Sequence, residues 1–502
     1  MIAKILSFIV FTPLLGALFV IFSPKGEKTV LKYISVLTSF VTFLLTTVLL
    51  LEFDKTSSTM QFLESHRWIE SLNISYLLGV DGLSIYLIPL TALVFFLITV
   101  SDWEVKTGLR GYYSLLLFLE TTILGTLTAN DLFLFFTFFE ATILPIYFML
   151  GVWGHKDRVY SATKFFLFQF AGGILILLGM LAVYYVVEPH TFSILELSKT
   201  NFSEKMLHIF STDIEFSKTI FILMFLGFAV RIPVFPLHSW FISAQAESPT
   251  PIAVVLTALF IKTGIFGLLR INYALFPSSA LWMSNAIAVL GAVNILYASL
   301  CALGQKDVRK LVAYFCMGHM GYVLVGIGIF SQASFQGAVL EMVTHGFYIT
   351  LLVFLVNILG QRFGTYELFD STEKPRFGGL IRQQPILSCF FSIAIFAAIG
   401  LPGFAAFPAT SMVFIGAYPV HKALTIIGLF GLLLTAGYFL WMYKALFLGT
   451  ENSGTEEVSD LSLREQVYLI PLVLLIIVAG VYPTPFINLS TSTLTQLLGI
   501  LK

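Results

Sequence analysis

Apolar stretches of about 20 residues recur from one end of this chain to the other, and that is the length that carries an α-helix across a bilayer. Within hydrocarbon the backbone must satisfy its own polar groups, so an isolated apolar stretch can only be helical there. Fourteen such stretches are found, near 2–23, 30–51, 80–100, 112–128, 130–152, 162–186, 219–240, 251–275, 280–303, 308–331, 334–360, 385–418, 423–448 and 466–487. The chain is 58% hydrophobic and 11% charged, whereas soluble chains carry about 25% charged residues. The composition excludes a soluble fold and predicts an all-α polytopic membrane protein of about 14 transmembrane helices. The first stretch resembles a secretory leader, but its apolar run is long and no A-x-A site follows, so it is read as a retained helix.

Basic residues set the expected orientation. Of the 28 Lys and Arg residues, 17 fall on the odd-numbered connections and 9 on the even-numbered ones together with the termini. The odd connections are therefore expected in the cytoplasm and both termini on the non-cytoplasmic side, with a bacterial inner membrane as the setting. Acidic and basic residues balance at 28 each, which argues against nucleic acid as a partner.

Two stretches carry prolines in their middles, LGFAVRIPVFPLHSW (226–240) and AAIGLPGFAAFPATS (397–411). Proline removes a backbone N–H and breaks the helix. Paired interruptions at corresponding places are the mark of inverted repeats around a transport site. The breaks fall on the seventh and twelfth stretches, an odd spacing of five, so the two halves would be inverted. The expected organisation is one membrane domain, 1–502. Within it lie three N-terminal helices (1–111), a first five-helix repeat (112–275), a second (280–448) and a C-terminal helix (449–502).

Three ionisable side chains lie deep in apolar sequence: Glu140, Arg231 and Lys262. Each costs at least ~2.5 kcal/mol on insertion scales, and such groups mark ion or proton paths. Glu140, in DLFLFFTFFEATILPIYFMLG, is a candidate proton-relay carboxyl or a fixed partner for Arg231. Lys262, in VVLTALFIKTGIFGLLR, is a candidate relay amine, since an ammonium in apolar surroundings can release and regain its proton. Arg231 keeps its charge and serves to bias Glu140 or to hold the fold. Glu120, mid-way along YYSLLLFLETTILGTL, is a second candidate carboxyl or a packing group bonded to a neighbouring threonine. His345 and His319, and with less weight His238, are candidate shuttles, because imidazole titrates near physiological pH. Asp131 is expected to cap the fifth helix. Cys301, Cys316 and Cys389 form no CxxC or His/Cys cluster, and neither a Walker A motif nor a dinucleotide-type GxGxxG is present. No cofactor or metal is expected in this chain.

Five segments together resemble the M-type antiporter-like subunits of respiratory complex I, the proton-pumping NADH:quinone oxidoreductase, and more distantly the Mrp cation/proton antiporters. They are ISYLLGVDGLSIYLIPLTAL (74–93), NDLFLFFTFFEATILPIYFMLGVWG (130–154), YSATKFFLFQFAGG (160–173), GQKDVRKLVAYFCMGHMGYVLVGI (304–327) and MVTHGFYITLLVFLVNILGQR (342–362). The resemblance implies a buried polar axis in which Glu140, Lys262, His345 and His319 occupy family positions, with Glu120 matching a carboxyl on the fourth helix. It also implies partners of the L and N types, and FMN, iron–sulfur clusters and quinone in other subunits. Three positions depart from the family pattern. Arg231 stands where a lysine is usual, Gln245 replaces a histidine, and Thr410 replaces a glutamate. The function expected is a membrane-arm subunit that couples quinone reduction elsewhere to proton translocation. The alternatives are a non-pumping scaffold paralogue in that complex, or a subunit of an Mrp-type antiporter or membrane-bound hydrogenase.

Overall fold

In the computed structural model the described residues are 4–24, 28–102, 107–209, 212–369, 375–449 and 459–501. Of the orientation cations, Lys25, Lys106, Lys374 and Lys502 lie outside them. The helices used below are α1 (Ile5–Phe22), α2 (Lys28–Glu52), α3 (Leu87–Ser101), α4 (Leu109–Thr128) and α5 (Leu132–Trp153). They continue with α6 (Arg158–Val186), α7 (Phe216–Arg231), α8 (Ser239–Glu247), α9 (Thr250–Tyr273), α10 (Pro277–Leu303), α11 (Val308–Gly328) and α12 (Gln332–Phe363). The last are α13 (Pro385–Ile399), α14 (Ala406–Ala417), α15 (Lys422–Phe447), α16 (Leu463–Val481) and α17 (Thr484–Leu501).

All fourteen expected stretches are helical, and both proline-bearing ones are broken. The seventh stops at Arg231, runs irregularly through Pro233 and Pro236, and resumes as α8. The twelfth stops at Ile399 and resumes at Ala406. Pro402 lies in that second gap, whereas Pro408 sits in the first turn of α14, where no backbone N–H is required of it.

Caps follow the local chemistry. Asp131 Oδ1 accepts from the backbone N–H groups of Phe133 and Leu134 at the start of α5. Asp307 caps α11, Ser331 caps α12, and Ser462 with Glu465 forms a reciprocal capping box on α16.

Three elements differ from the expectation. Val80, expected to open the third span, instead ends an antiparallel hairpin of β1 (Gln61–Ile69) and β2 (Ile74–Val80), turns follow, and α3 begins only at Leu87. A second short hairpin, β3 (Met206–Ile209) with β4 (Thr212–Glu215), precedes α7. After the fourteenth span the chain forms a further helix, α17, buried along one side by Leu489, Thr493, Leu494, Leu497, Leu498 and Leu501.

The chain divides into two compact units. The first comprises Met1–Pro233, Leu259–Ser284 and Asn488–Lys502, and the second Val234–Ala258 and Asn285–Ile487. In the first unit α1 packs on α4, α2 on α3, and α6 on α7. In the second, α12 runs for 32 residues and is flanked by α11, α13, α14 and α16.

Candidate functional site

Each unit encloses a cluster of buried polar side chains. The cluster of the first unit is built where α5, α6 and α7 meet. Pro145 lacks the N–H that would continue the ladder of α5, and the helix is interrupted at Thr142, two residues after Glu140. α6 and α7 approach closely at Gly172 and Gly227: a Cβ on Gly227 would lie 2.6 Å from the Gly172 carbonyl oxygen. Arg231 is one helical turn beyond Gly227 on the same face, and this close crossing brings it to α6.

The Arg231 side chain is 1% exposed and its guanidinium is almost fully engaged. Nε donates to Gln169 Oε1 at 3.2 Å, and Nη1 donates to the Phe139 carbonyl at 3.0 Å and to Thr142 Oγ1 at 3.1 Å. Its Cζ lies 3.4 Å from the centroid of the Phe139 ring and 4.3 Å from that of Phe260, so the cation is flanked by two aromatic rings. The remaining nitrogen, Nη2, is 3.8 Å from Glu140 Oε1. That is an ion pair but too long for a hydrogen bond, and both atoms are buried without a hydrogen-bond partner, as is Gln169 Nε2. The carboxylate of Glu140 fits because residue 173 is glycine: a Cβ there would meet its carboxyl atoms at about 2.5 Å.

Lys262 is 1% exposed on α9. Two π-helical stretches, Leu256–Phe260 and Leu268–Tyr273, bracket its segment, and such turns often mark functional sites. The segment packs on α4 and α7. A Cβ on Gly264, two residues on, would be 3.1 Å from Arg231 Cβ. Glu120 is fully buried on α4, and its partner is Ser39 Oγ of α2 at 3.2 Å rather than a threonine. The nearby Thr121, Thr122 and Thr126 hydroxyls bond to backbone carbonyls of their own helix.

The second unit gathers His319 and His345, and with them two residues the sequence did not single out, Glu341 and Tyr348. His319 Nδ1 is 2.7 Å from Glu341 Oε1, Tyr348 Oη donates to the same oxygen at 2.5 Å, and Thr344 Oγ1 donates to Oε2 at 3.3 Å. The His345 ring lies 5.6 Å from that of His319 and 5.3 Å from that of Tyr348, between centroids. Glu341, Thr344, His345 and Tyr348 are spaced i, i+3, i+4 and i+7, one face of α12; that spacing in EMVTHGFY is the signal that would have found them. His238 is elsewhere in this unit, stacked with Phe235 and edge-on to Tyr297. Thr410 is buried and donates to the carbonyl of Ala406 one turn back, so its hydroxyl is satisfied within α14.

One further buried pair escaped the sequence. Arg270, one of the nine cations assigned to the even side, lies in the second π stretch and forms a two-point ion pair with Asp81, at 2.7 Å and 2.5 Å. Asp81 belongs to the VDGLS segment, and its Oδ1 also accepts from the N–H of Leu83.

With this geometry in hand, the comparisons with known proteins are decisive about family. The model for "NADH:quinone oxidoreductase/Mrp antiporter, TM" matches residues 129–435, more than half of the chain. The chain belongs to this family. The matched stretch of this family member holds Glu140, Arg231, Lys262, His319, Glu341 and His345, and leaves Glu120 outside. NADH-quinone oxidoreductase subunit M of Rickettsia felis is 34% identical over 98% of both chains. The subunit of the same name from Rhodobacter capsulatus is 34% identical over 98% of this chain and 96% of its own length. Among solved structures, a chain of respiratory complex I from Thermus thermophilus with bound NADH superposes with a TM-score of 0.88 at 25% identity, covering both chains completely. A chain of the Mrp complex from Dietzia sp. DQ12-45-1b shares the fold at a TM-score of 0.84, with 17% identity over 99% of this chain and 97% of that one.

Proposed function

We propose that this chain is a membrane-arm subunit of a proton-pumping NADH:quinone oxidoreductase, and that its buried polar clusters carry protons while partner subunits carry out the redox chemistry. The observation that bears most weight is the Glu140–Arg231 pair. A carboxylate sits 3.8 Å from a guanidinium that three hydrogen bonds to other groups hold in place. Arg231 cannot give up its charge, so Glu140 is the member of the pair that changes state. Small movements of α5 against α7 alter the attraction between them, and the carboxyl then takes up or releases a proton. Lys262, on the helix that touches Arg231, is the next group able to exchange one. The full-length similarity to relatives named subunit M supports this assignment over a separate antiporter.

The FMN, iron–sulfur clusters and quinone site belong to partner chains in this reading, and the neighbours in the membrane arm are the L-type and N-type antiporter-like subunits. The excess of Lys and Arg on the odd connections supports a cytoplasmic position for them, with both termini on the opposite side. The membrane is a bacterial plasma membrane.

The test is Glu140→Gln in the assembled complex reconstituted into vesicles. Fewer protons should be moved per electron; an unchanged ratio would sink the relay role.

Two residues favour a second reading, a scaffold whose transport is lost. Arg231 is a permanent charge, and Thr410 is uncharged and bonded within its own helix. Under that reading, Arg231→Lys combined with Thr410→Glu raises the proton count per electron, and no change in the ratio counts against it.

A further inference from the structure

Among the described residues of the second unit, Glu341 is the one buried carboxyl, and no lysine or arginine is buried with it. Its charge therefore has no permanent counter-ion of the kind Arg231 provides for Glu140. The group against its Oε1 is His319, whose own charge depends on a proton. Three donors converge on the carboxylate: His319 and the Tyr348 hydroxyl on Oε1, and the Thr344 hydroxyl on Oε2. Tyr348 Oη also lies 2.9 Å from His319 Nδ1, so tyrosine, imidazole and carboxylate form a closed triangle. The second ring nitrogen of His319, Nε2, is buried without a hydrogen-bond partner.

We propose that Glu341 is a proton carrier of the second unit and that it exchanges its proton directly with His319. This rests on the proton-translocating function proposed above. The proton leaves Nδ1 of the His319 imidazolium and bonds to Glu341 Oε1. One N–H bond breaks as one O–H bond forms, and imidazolium plus carboxylate become neutral imidazole plus neutral carboxylic acid. The pair is net neutral before and after, so the transfer buries no additional net charge. The 2.7 Å separation is within the range required for direct transfer. His319 Nε2 is the atom through which a proton enters or leaves the pair, and His345 is the adjacent imidazole.

The position of Glu341 links it to the second broken helix. Gly337, one turn earlier on the same face of α12, meets α14: a Cβ there would lie 2.6 Å from the Val413 nitrogen and 2.7 Å from the Ala409 carbonyl oxygen. α14 carries Thr410, whose side chain has no charge to contribute. Glu341 supplies this unit with the ionisable carboxyl that α14 does not, and a shift of α14 is transmitted to it through the α12 contact. The titratable groups around the pair are His345 and Tyr348 on α12, Cys316 and Tyr322 on α11 and Tyr438 on α15.

The experiment uses the intact complex in vesicles, with protons moved per electron as the readout. Glu341→Gln keeps the shape and the hydrogen-bond acceptor but cannot take up the proton, so the ratio should fall. Glu140→Gln is measured beside it. A fall with Glu140→Gln but none with Glu341→Gln overturns this inference and leaves the proposed function standing. No fall with either overturns both. If Glu341→Gln prevents assembly, Tyr348→Phe replaces it. That variant retains the carboxyl and the imidazole but removes one donor, and it should shift a carboxyl band in the redox-induced infrared difference spectrum. An unshifted spectrum overturns the proposal.

Discussion

In the first unit a partly buried carboxylate, 20% exposed, faces an arginine, whereas in the second a fully buried carboxylate faces a histidine. The two clusters solve the same electrostatic difficulty differently. Arg231 is locked by Gln169, Phe139 and Thr142, and its charge is permanent, so Glu140 alone can change state. His319 and Glu341 can each hold the proton, so the second pair can exchange it internally. In the proposed mechanism the fixed cation makes Glu140 respond to movement, and the titratable partner makes Glu341 part of a relay.

The largest effect is expected from removing the fixed cation. Arg231→Ala leaves Glu140 uncompensated and takes donors from the Phe139 carbonyl, Thr142 and Gln169. Breaking a buried pair in this way costs about 3–5 kcal/mol, which should appear as a lowered melting temperature or loss of assembled complex on native gels. Asp81→Ala orphans Arg270 at similar cost, about 3–5 kcal/mol. Because that pair is bonded at two points and lies outside both clusters, stability should fall without a change in protons per electron. A changed ratio would break the distinction between holding and carrying charge.

Gly173→Ala is expected to cost about 1–3 kcal/mol by overpacking. It also pushes the Glu140 carboxyl from its present position, and both stability and the proton ratio should drop together. The smallest loss of stability is expected from Tyr348→Phe. Removing one hydrogen bond to Glu341 costs about 0.5–1.5 kcal/mol, read as a small shift in thermal unfolding of the complex. A loss several times larger would mean that Glu341 depends on the tyrosine for its place in the fold.

The helices and both breaks were legible because hydrocarbon leaves so few alternatives: long apolar runs must be helical, and the paired prolines of the seventh and twelfth stretches interrupt theirs, whereas the single Pro13 and Pro471 leave α1 and α16 continuous. What the sequence concealed was shaped by packing. The hairpin of β1 and β2 lay between the second and third expected spans, and its second strand ends on Val80, the first residue of the third, with turns before α3. α17, with its run of serines and threonines, is amphipathic rather than uniformly apolar, so a search for spans passed over it. Glu341 lay inside its expected span, 334–360, but only the packing of α11 on α12 sets it against His319. Arg270 was tallied with the even-side cations, but in the π-helical turns of α9 it is buried against Asp81. Glu140, Arg231 and Lys262 were visible as charges in apolar sequence. Gln169, Thr142 and the two aromatic rings around Arg231 were not, since they come from α5, α6 and α9 and only the packing of those helices around α7 assembles them.

The central claim is that both carboxyls change protonation as the complex turns over. Redox-induced infrared difference spectroscopy of the intact assembly tests it most directly. The account expects one carboxyl signal that disappears with Glu140→Gln and a separate one that disappears with Glu341→Gln. Spectra identical to wild type in both variants would contradict it.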